Sequence, residues 1–444
     1  MGFPDLLLVA GLVTTVAVVL YSWKEPVFLI PVFVLLLGGV FAQVDLNERL
    51  YVQVTTGVRL YLRDFIIILM IIHVLRAHNS LKKSGLVFYK PITFFLAFLV
   101  INLGLKFLFY GPEFDDKITP FIRLFATFAI YFLLIHYLNV ENFRRFANSI
   151  NLLALISLLV FFGYALGPLP MPSGLTALNI YISSDATAVR LPLPNTFFLF
   201  FPYFLSIAPL IGESGRMRFR DAVLATGMIA ASFVSLYRMY LSVVVFGFLL
   251  ALVVRRGRLV KRFAIAVSLC VALFAAVQVL VEARDAGVVR AAVERFAGTG
   301  AELQDEGGSA GGRVVRTYAA IGSLSDPATF LIGTAFTNQF REYSQLFGMD
   351  LGIIASFIYY GIPGMIFIIV LYKRGLTSSA ASLRTGEPLG RVSGATFLFF
   401  IAMLPAVLFM YNPLEHEMMI AVWACVLGTF DAFHKSAQST SRTV

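Results

Sequence analysis

Apolar runs of about twenty residues recur along the chain, parted by short polar breaks, and each run is near the length a bilayer core requires. The pattern predicts about thirteen spanning helices, near 3–22, 26–43, 60–77, 88–110, 119–138, 147–167, 193–212, 221–236, 239–254, 261–280, 350–371, 394–411 and 417–434. The first run, Phe3 to Tyr21, has no basic start and no small-residue cleavage site, so it reads as a span and not a signal peptide. Two breaks exceed turn length. One is 168–192, proline-rich at its start. The other is 283–349, which opens with helical spacing at Val288, Val289, Ala292, Val293 and Phe296 and then turns glycine-rich, as in a hinge or lid. The expected organisation is a single integral membrane domain over 1–444, with 283–349 as a loop subregion, all-α in class.

Charge orients this array. Basic residues mark alternate connections: Arg76, Lys82 and Lys83; Arg144 and Arg145; Arg216, Arg218 and Arg220; Arg255, Arg256, Arg258, Lys261 and Arg262; Lys373, Arg374, Arg384 and Arg391. The positive-inside rule then puts these and the C-terminus in the cytoplasm, and the N-terminus and 283–349 outside. Composition agrees. Of 444 residues 59% are hydrophobic and 14% charged, against about 25% charged in soluble domains. The net charge of +10 sits in short loops, as orientation signals do, so it does not point to nucleic acid. Cys270 and Cys425 both lie in apolar runs, and neither a disulfide nor a thiolate site is indicated. No histidine has a ligand-spaced partner, and there is no phosphate loop, dinucleotide fingerprint or serine elbow. Neither a metal nor a cofactor is therefore expected.

The informative charges are those at the outer ends of spans, where burial is costly. Arg238, in S-L-Y-R-M-Y-L-S, cannot be a positive-inside signal; it either snorkels as a hairpin cap or binds an anion. Arg313 and Arg316 follow Gly311 and Gly312 at helical spacing and could grip a pyrophosphate bidentately, or be solvated opposite Asp305 and Glu306. Arg341 and Glu342 either pair with each other or serve the same site. Asp350 opens a span, where a carboxylate caps a helix or acts as a base. Arg63 and Asp64 form a structural pair or line an outer cavity, and Arg123 is placed similarly. His416, in N-P-L-E-H-E, is the one histidine expected outside, most simply at a hydrated helix start.

These residues together resemble the bacterial superfamily of O-antigen polymerases and O-antigen ligases. The resemblance runs over nearly the whole chain and rests on three stretches: G-G-R at Gly311 to Arg313, P-A-T-F-L-I-G-T at Pro327 to Thr334, and D-L-G-I-I-A-S-F-I-Y-Y-G-I-P-G at Asp350 to Gly364. Arg238 matches the family's arginine between two mid-chain helices. The resemblance implies a fold of the GT-C glycosyltransferase kind with one large periplasmic loop, in the bacterial inner membrane. It implies as donor a glycan linked to undecaprenyl diphosphate within the membrane lipid, and a chain-length regulator and a flippase as partners. Arg238, Arg313, Arg316 and Arg341 would hold the diphosphate, Asp350 or Glu342 would serve the acceptor hydroxyl, and neither nucleotide nor metal would be needed. Ligases of the superfamily use a histidine near the start of the late span. Here Asp350 stands there, and no histidine occurs between His136 and His416, which favours a polymerase. The alternatives are a ligase moving glycan to lipid A core or protein, and a transporter of glycans or solutes, which would require polar groups deep in the spans and broken helices.

Overall fold

The computed structural model describes residues 13, 15–17, 19–37, 51–55, 58–77, 85–110, 118–166, 169, 180–182, 187–189, 196–211, 217–235, 238–254, 321–322, 325–335, 352–386, 388–409, 412–414 and 416–441. The described chain is largely helical: α1 Leu29–Leu37, α2 Leu62–Ala77, α3 Tyr89–Tyr110, α4 Ile118–Ala126, α5 Ala129–Tyr137, α6 Val140–Leu166, α7 Thr196–Ile207, α8 Phe219–Val234, α9 Arg238–Val254, α10 Pro327–Ile332, α11 Ile353–Ala381, α12 Leu389–Phe409 and α13 Glu417–Ser441. Among the described residues, five helices are long and apolar enough to cross a membrane, namely α3, α6, α11, α12 and α13. The protein is a multi-pass membrane protein.

Two hairpins depart from the expected all-helical class. Strands β1 Tyr51–Thr55 and β2 Val58–Tyr61 pair antiparallel with an irregularity between Gln53 and Thr55. Strands β3 Ile180–Ile182 and β4 Thr187–Val189 pair likewise. The first is Y-V-Q-V-T-T-G-V-R-L-Y in sequence, two β-branched stretches on either side of Thr56 and Gly57. The second lies within the long break 168–192.

Several helix limits also move. The expected span 119–138 is two helices, because the hydroxyl of Thr127 bonds back to the Arg123 carbonyl (3.1 Å) and Phe128 N–H bonds to the nearer Phe125 carbonyl (3.0 Å), tightening the turn between α4 and α5. Helix α6 starts seven residues before the expected 147, and α11 runs ten past the expected 371. Hydropathy marks where the bilayer core ends, whereas a helix ends only where its backbone bonds stop. The expected span 261–280 lies outside the described residues.

Helix α13 is the axis. It packs against α5, α7 and α12, and 83% of its span is buried, against 28% for α3. Trp423 on α13 meets Tyr372, Phe399 and Phe400 edge-on, at 5.4–5.6 Å between ring centroids, an arrangement that favours aromatic pairs. Helix α3 keeps Phe95 stacked on Phe367 of α11 at 4.1 Å. It turns Phe94, Val100, Ile101, Phe107 and Leu108 outward, as a lipid-facing helix does.

Where α13 finishes, buried polar side chains pin the helices together. The Asp431 carboxylate accepts the N–H groups of Val87 (2.8 Å) and Phe88 (2.9 Å) and the Tyr131 hydroxyl (2.7 Å). It thereby satisfies donors at the start of α3 that no local cap serves. Arg374 donates to the Val87 carbonyl (2.6 Å). Arg391 pairs with Asp221 (2.9 Å) and gives Nε–H to the Leu205 carbonyl (3.0 Å). That carbonyl lies four residues before Pro209, which has no N–H to offer it.

Candidate functional site

The opposite end of the bundle, where α13 starts, carries every outer charge that the sequence singles out and the structure describes. Arg63 and Asp64, adjacent at the start of α2, do not pair with each other. Arg63 Nη1 meets Glu417 Oε2 at 3.0 Å, and Asp64 Oδ2 meets Arg123 Nη2 at 2.9 Å. Asp64 also accepts the Tyr61 N–H (2.8 Å), capping α2, while Arg123 donates to the Arg59 carbonyl. Both guanidiniums lie over the Tyr61 ring, at 5.6 and 4.8 Å from its centroid. The quartet thus ties the β1–β2 hairpin to α2, α4 and α13. Nothing in L-E-H-E-M tells from sequence that Glu417 is the carboxylate that faces this pair.

Beside it, Phe197 of α7 stacks on His416 (5.9 Å) and meets Tyr240 of α9 edge-on (6.4 Å). His416 is therefore half-buried against a ring, not simply hydrated. Arg238 opens α9 two residues before Tyr240, so the helix start it occupies is at this same end; its side chain lies outside the described residues. Arg313, Arg316, Arg341, Glu342 and Asp350 also lie outside the described residues.

Two of the three motif stretches meet here. Helix α11 is broken at Gly361 (φ 61°), two residues before Pro363. The break leaves the Ile358 and Tyr359 carbonyls without helical donors; Pro363 has no N–H for Tyr359. The residues after α10 supply them: Thr334 N–H donates to Ile358 O and Ala335 N–H to Tyr359 O, both at 2.8 Å. Gly333 (φ 75°) makes the turn into this strap. Backbone lies against backbone, for a Cβ on Gly333 would run into the Tyr359 carbonyl and one on Gly361 into that of Leu331. Gly333 and Gly361, one glycine from each motif, are thus explained by one junction.

The junction is held from other sides. Asn102 Nδ2 donates to Ile332 O (3.0 Å) and Lys106 Nζ to Gly333 O (3.0 Å), both from α3. Asp326 caps α10, accepting from Ala328 N–H (3.4 Å), Thr329 N–H (2.9 Å) and the Thr329 hydroxyl (2.7 Å). The Thr329 hydroxyl and amide, with a smaller contribution from Lys106, hold its carboxyl below the ordinary range. Ser356 of α11 donates to Asn412 Oδ1, and Tyr360 to Leu414 O (3.1 Å), fixing the turn between α12 and α13. The sequence gives no reason to single out Asn102 or Lys106. A lysine four residues from the end of an apolar run looks like a snorkelling one, and only the tertiary position of Gly333 shows otherwise. Among the described residues no three His, Cys, Asp or Glu side chains gather as a metal site.

No protein-family model matches the chain, and no match is found among curated proteins.

Proposed function

We propose that the protein is a membrane glycosyltransferase that polymerises undecaprenyl-diphosphate-linked oligosaccharide repeats. It would work at the end of the bundle where α13 starts, on a thirteen-span scaffold of the GT-C kind in the bacterial inner membrane. That end faces the periplasm in this reading, with the N-terminus periplasmic and the C-terminus cytoplasmic. The observation that carries the reading is the junction of P-A-T-F-L-I-G-T with G-I-P-G. Two stretches on which the family resemblance rests form one feature, at the end that also holds the start of α9 and the Arg63–Asp64–Arg123–Glu417 quartet. Arg341, Glu342 and Asp350 fall in sequence between the strap and α11.

In this mechanism a sugar hydroxyl of one lipid-linked repeat attacks the anomeric carbon of the glycan on another. The bond from that carbon to the diphosphate oxygen breaks, and undecaprenyl diphosphate leaves. Arg238, Arg313, Arg316 and Arg341 stabilise the charge growing on the diphosphate. Asp350, or Glu342, aligns the hydroxyl and receives its proton directly or through water. The donor carries its own leaving group, so no nucleotide is consumed. A chain-length regulator and a flippase are the partners this places beside it.

The test is purified protein in liposomes, given lipid-linked repeats and no other acceptor. A ladder of longer glycans is expected, and loss of one charge-assisted contact in Arg313→Ala or Arg238→Lys lowers the rate by roughly a hundredfold. No ladder from the wild type, but transfer once lipid A core is added, would make it a ligase. The break in α11 favours one other reading, transport of a solute. Its freed carbonyls are already taken by Thr334 and Ala335, which leaves them unable to coordinate an ion while the strap is in place. Uptake of labelled glycan into the same liposomes would decide for transport.

A further inference from the structure

Lysine within an apolar span is costly and calls for a reason. Lys106 is 3% exposed and Asn102 fully buried. They lie four apart on α3, hence on one face, and that face meets the last carbonyls of α10. A short helix ends with carbonyls that lack donors and carry partial negative charge. Asn102 takes the Ile332 carbonyl, at the expense of its own Oδ1, which is buried without a hydrogen-bond partner. Lys106 takes the Gly333 carbonyl, and its charge contributes a little to lowering the carboxyl of Asp326, the cap at the other end of α10. Methionine would fill the same space in a membrane. What the ammonium adds is a grip on a backbone atom at the residue where the strap turns onto α11.

We infer that Asn102 and Lys106 are positioning residues, a latch on α3 that seats α10 and the 333–335 strap on the break in α11. The latch fixes the point from which the stretch bearing Arg341, Glu342 and Asp350 continues. Its catalytic consequence rests on the glycosyl-transfer reading above; its structural part does not.

The experiment uses the full chain with Thr334→Cys as a reporter, in a Cys270→Ser, Cys425→Ala background. Thr334 is fully buried, so N-ethylmaleimide reacts with the reporter only when the strap lifts. Lys106→Met should speed labelling about tenfold, as loss of one charge-assisted hydrogen bond implies, and Asn102→Leu should act in the same direction. Lys106→Arg, which still donates to a carbonyl, should restore slow labelling. In the polymer assay the same variants should lower kcat about tenfold with KM for the lipid-linked repeat nearly unchanged, and Lys106→Arg should recover kcat. Unchanged labelling in Lys106→Met overturns the latch, whatever the activity. Faster labelling with unaltered kcat overturns the positioning role. Should Lys106→Met not accumulate, Asn102→Leu read against Lys106→Arg separates the same outcomes. A wild type that makes no polymer sinks the glycosyl-transfer reading alone, because the labelling arm does not depend on it.

Discussion

The two ends of the bundle use the same residue types differently. Where α13 finishes, two acids are dry, Asp431 and Asp221 both being 0% exposed, while Glu25 pairs with Arg145 nearer the surface. Asp431 is held by the first amides of α3 and the Tyr131 hydroxyl, and Asp221 by Arg391, which also takes a late carbonyl of α7. Where α13 starts, the side chains of Arg63 and Glu417 keep 21% and 15% of their exposure. Four charges form one network there, and the backbone itself is opened, at Gly361, and closed again by a separate strap. Dry acids make a fixed base. Wetter ion pairs beside a helix break make an end that can rearrange at small cost, and in our proposal that is where substrate sits.

The sharpest way to break this contrast is at the junction. Gly333→Val or Gly361→Val adds a side chain where backbone stands and demands a positive φ of a β-branched residue. The expected loss is about 4 kcal/mol or more, in the exceptional class. It should be read as collapse of the monodisperse peak after detergent extraction. Gly104→Ala on the lipid side of α3, with nothing near it, is the control and should leave the peak intact.

The ion pairs test the two ends against each other. Arg391→Met strands Asp221 in a dry site and should cost about 3–5 kcal/mol. Arg63→Met leaves Glu417 less deeply buried than Asp221, at 15% against 0% side-chain exposure, and should cost less. Equal drops in thermal midpoint would abolish the distinction drawn here. Asp431→Asn falls between: the amide keeps one acceptor oxygen, so one of the Val87 and Phe88 amides is orphaned, at about 1–3 kcal/mol. Hydrogen exchange at those two amides should rise while the strap amides stay protected.

How much of this could be read from the sequence follows from what each signal depends on. The long spans are legible because hydropathy is local; α3, α11, α12 and α13 overlap the expected runs, though α11 continues ten residues past its expected end. The split of 119–138 is not, since it turns on the Thr127 hydroxyl choosing a carbonyl. The β1–β2 hairpin is written in two β-branched stretches on either side of Thr56 and Gly57, but the prior of an all-helical chain hides it. At the site, that Arg63, Asp64 and Arg123 share one end of the bundle is legible and their pairing is not, because Glu417 lies more than 290 residues further on. The G-T and G-I-P-G motifs can be named from sequence but not joined. Lys106 stands out in sequence only as a charge inside an apolar run, and its partner depends wholly on where Gly333 comes to rest.

The smallest expected effect concerns the far end of α10. Asp326 is exposed, and its carboxyl is held low chiefly by the Thr329 hydroxyl and amide. A group whose folded pKa is depressed stabilises the fold above its unfolded value, about 3.9, and loses that contribution as pH falls through the lower folded value. Between pH 5 and 8 the cap should therefore be constant, and the strap should loosen only in stronger acid. Exchange at the Gly333 amide, which bonds to Thr329 O at 3.0 Å and is corrected for its intrinsic rate, reads this directly. Asp326→Asn caps nearly as well as aspartate and should leave that protection in place at pH 7, whereas Asp326→Ala should reduce it. If Asp326→Asn instead loosens the strap as far as Lys106→Met does, the charge of Asp326 matters more than its cap. The grip on the strap would then belong to a Lys106–Asp326 pair, and the end where α13 starts would be held by charge at the strap as well as in the quartet.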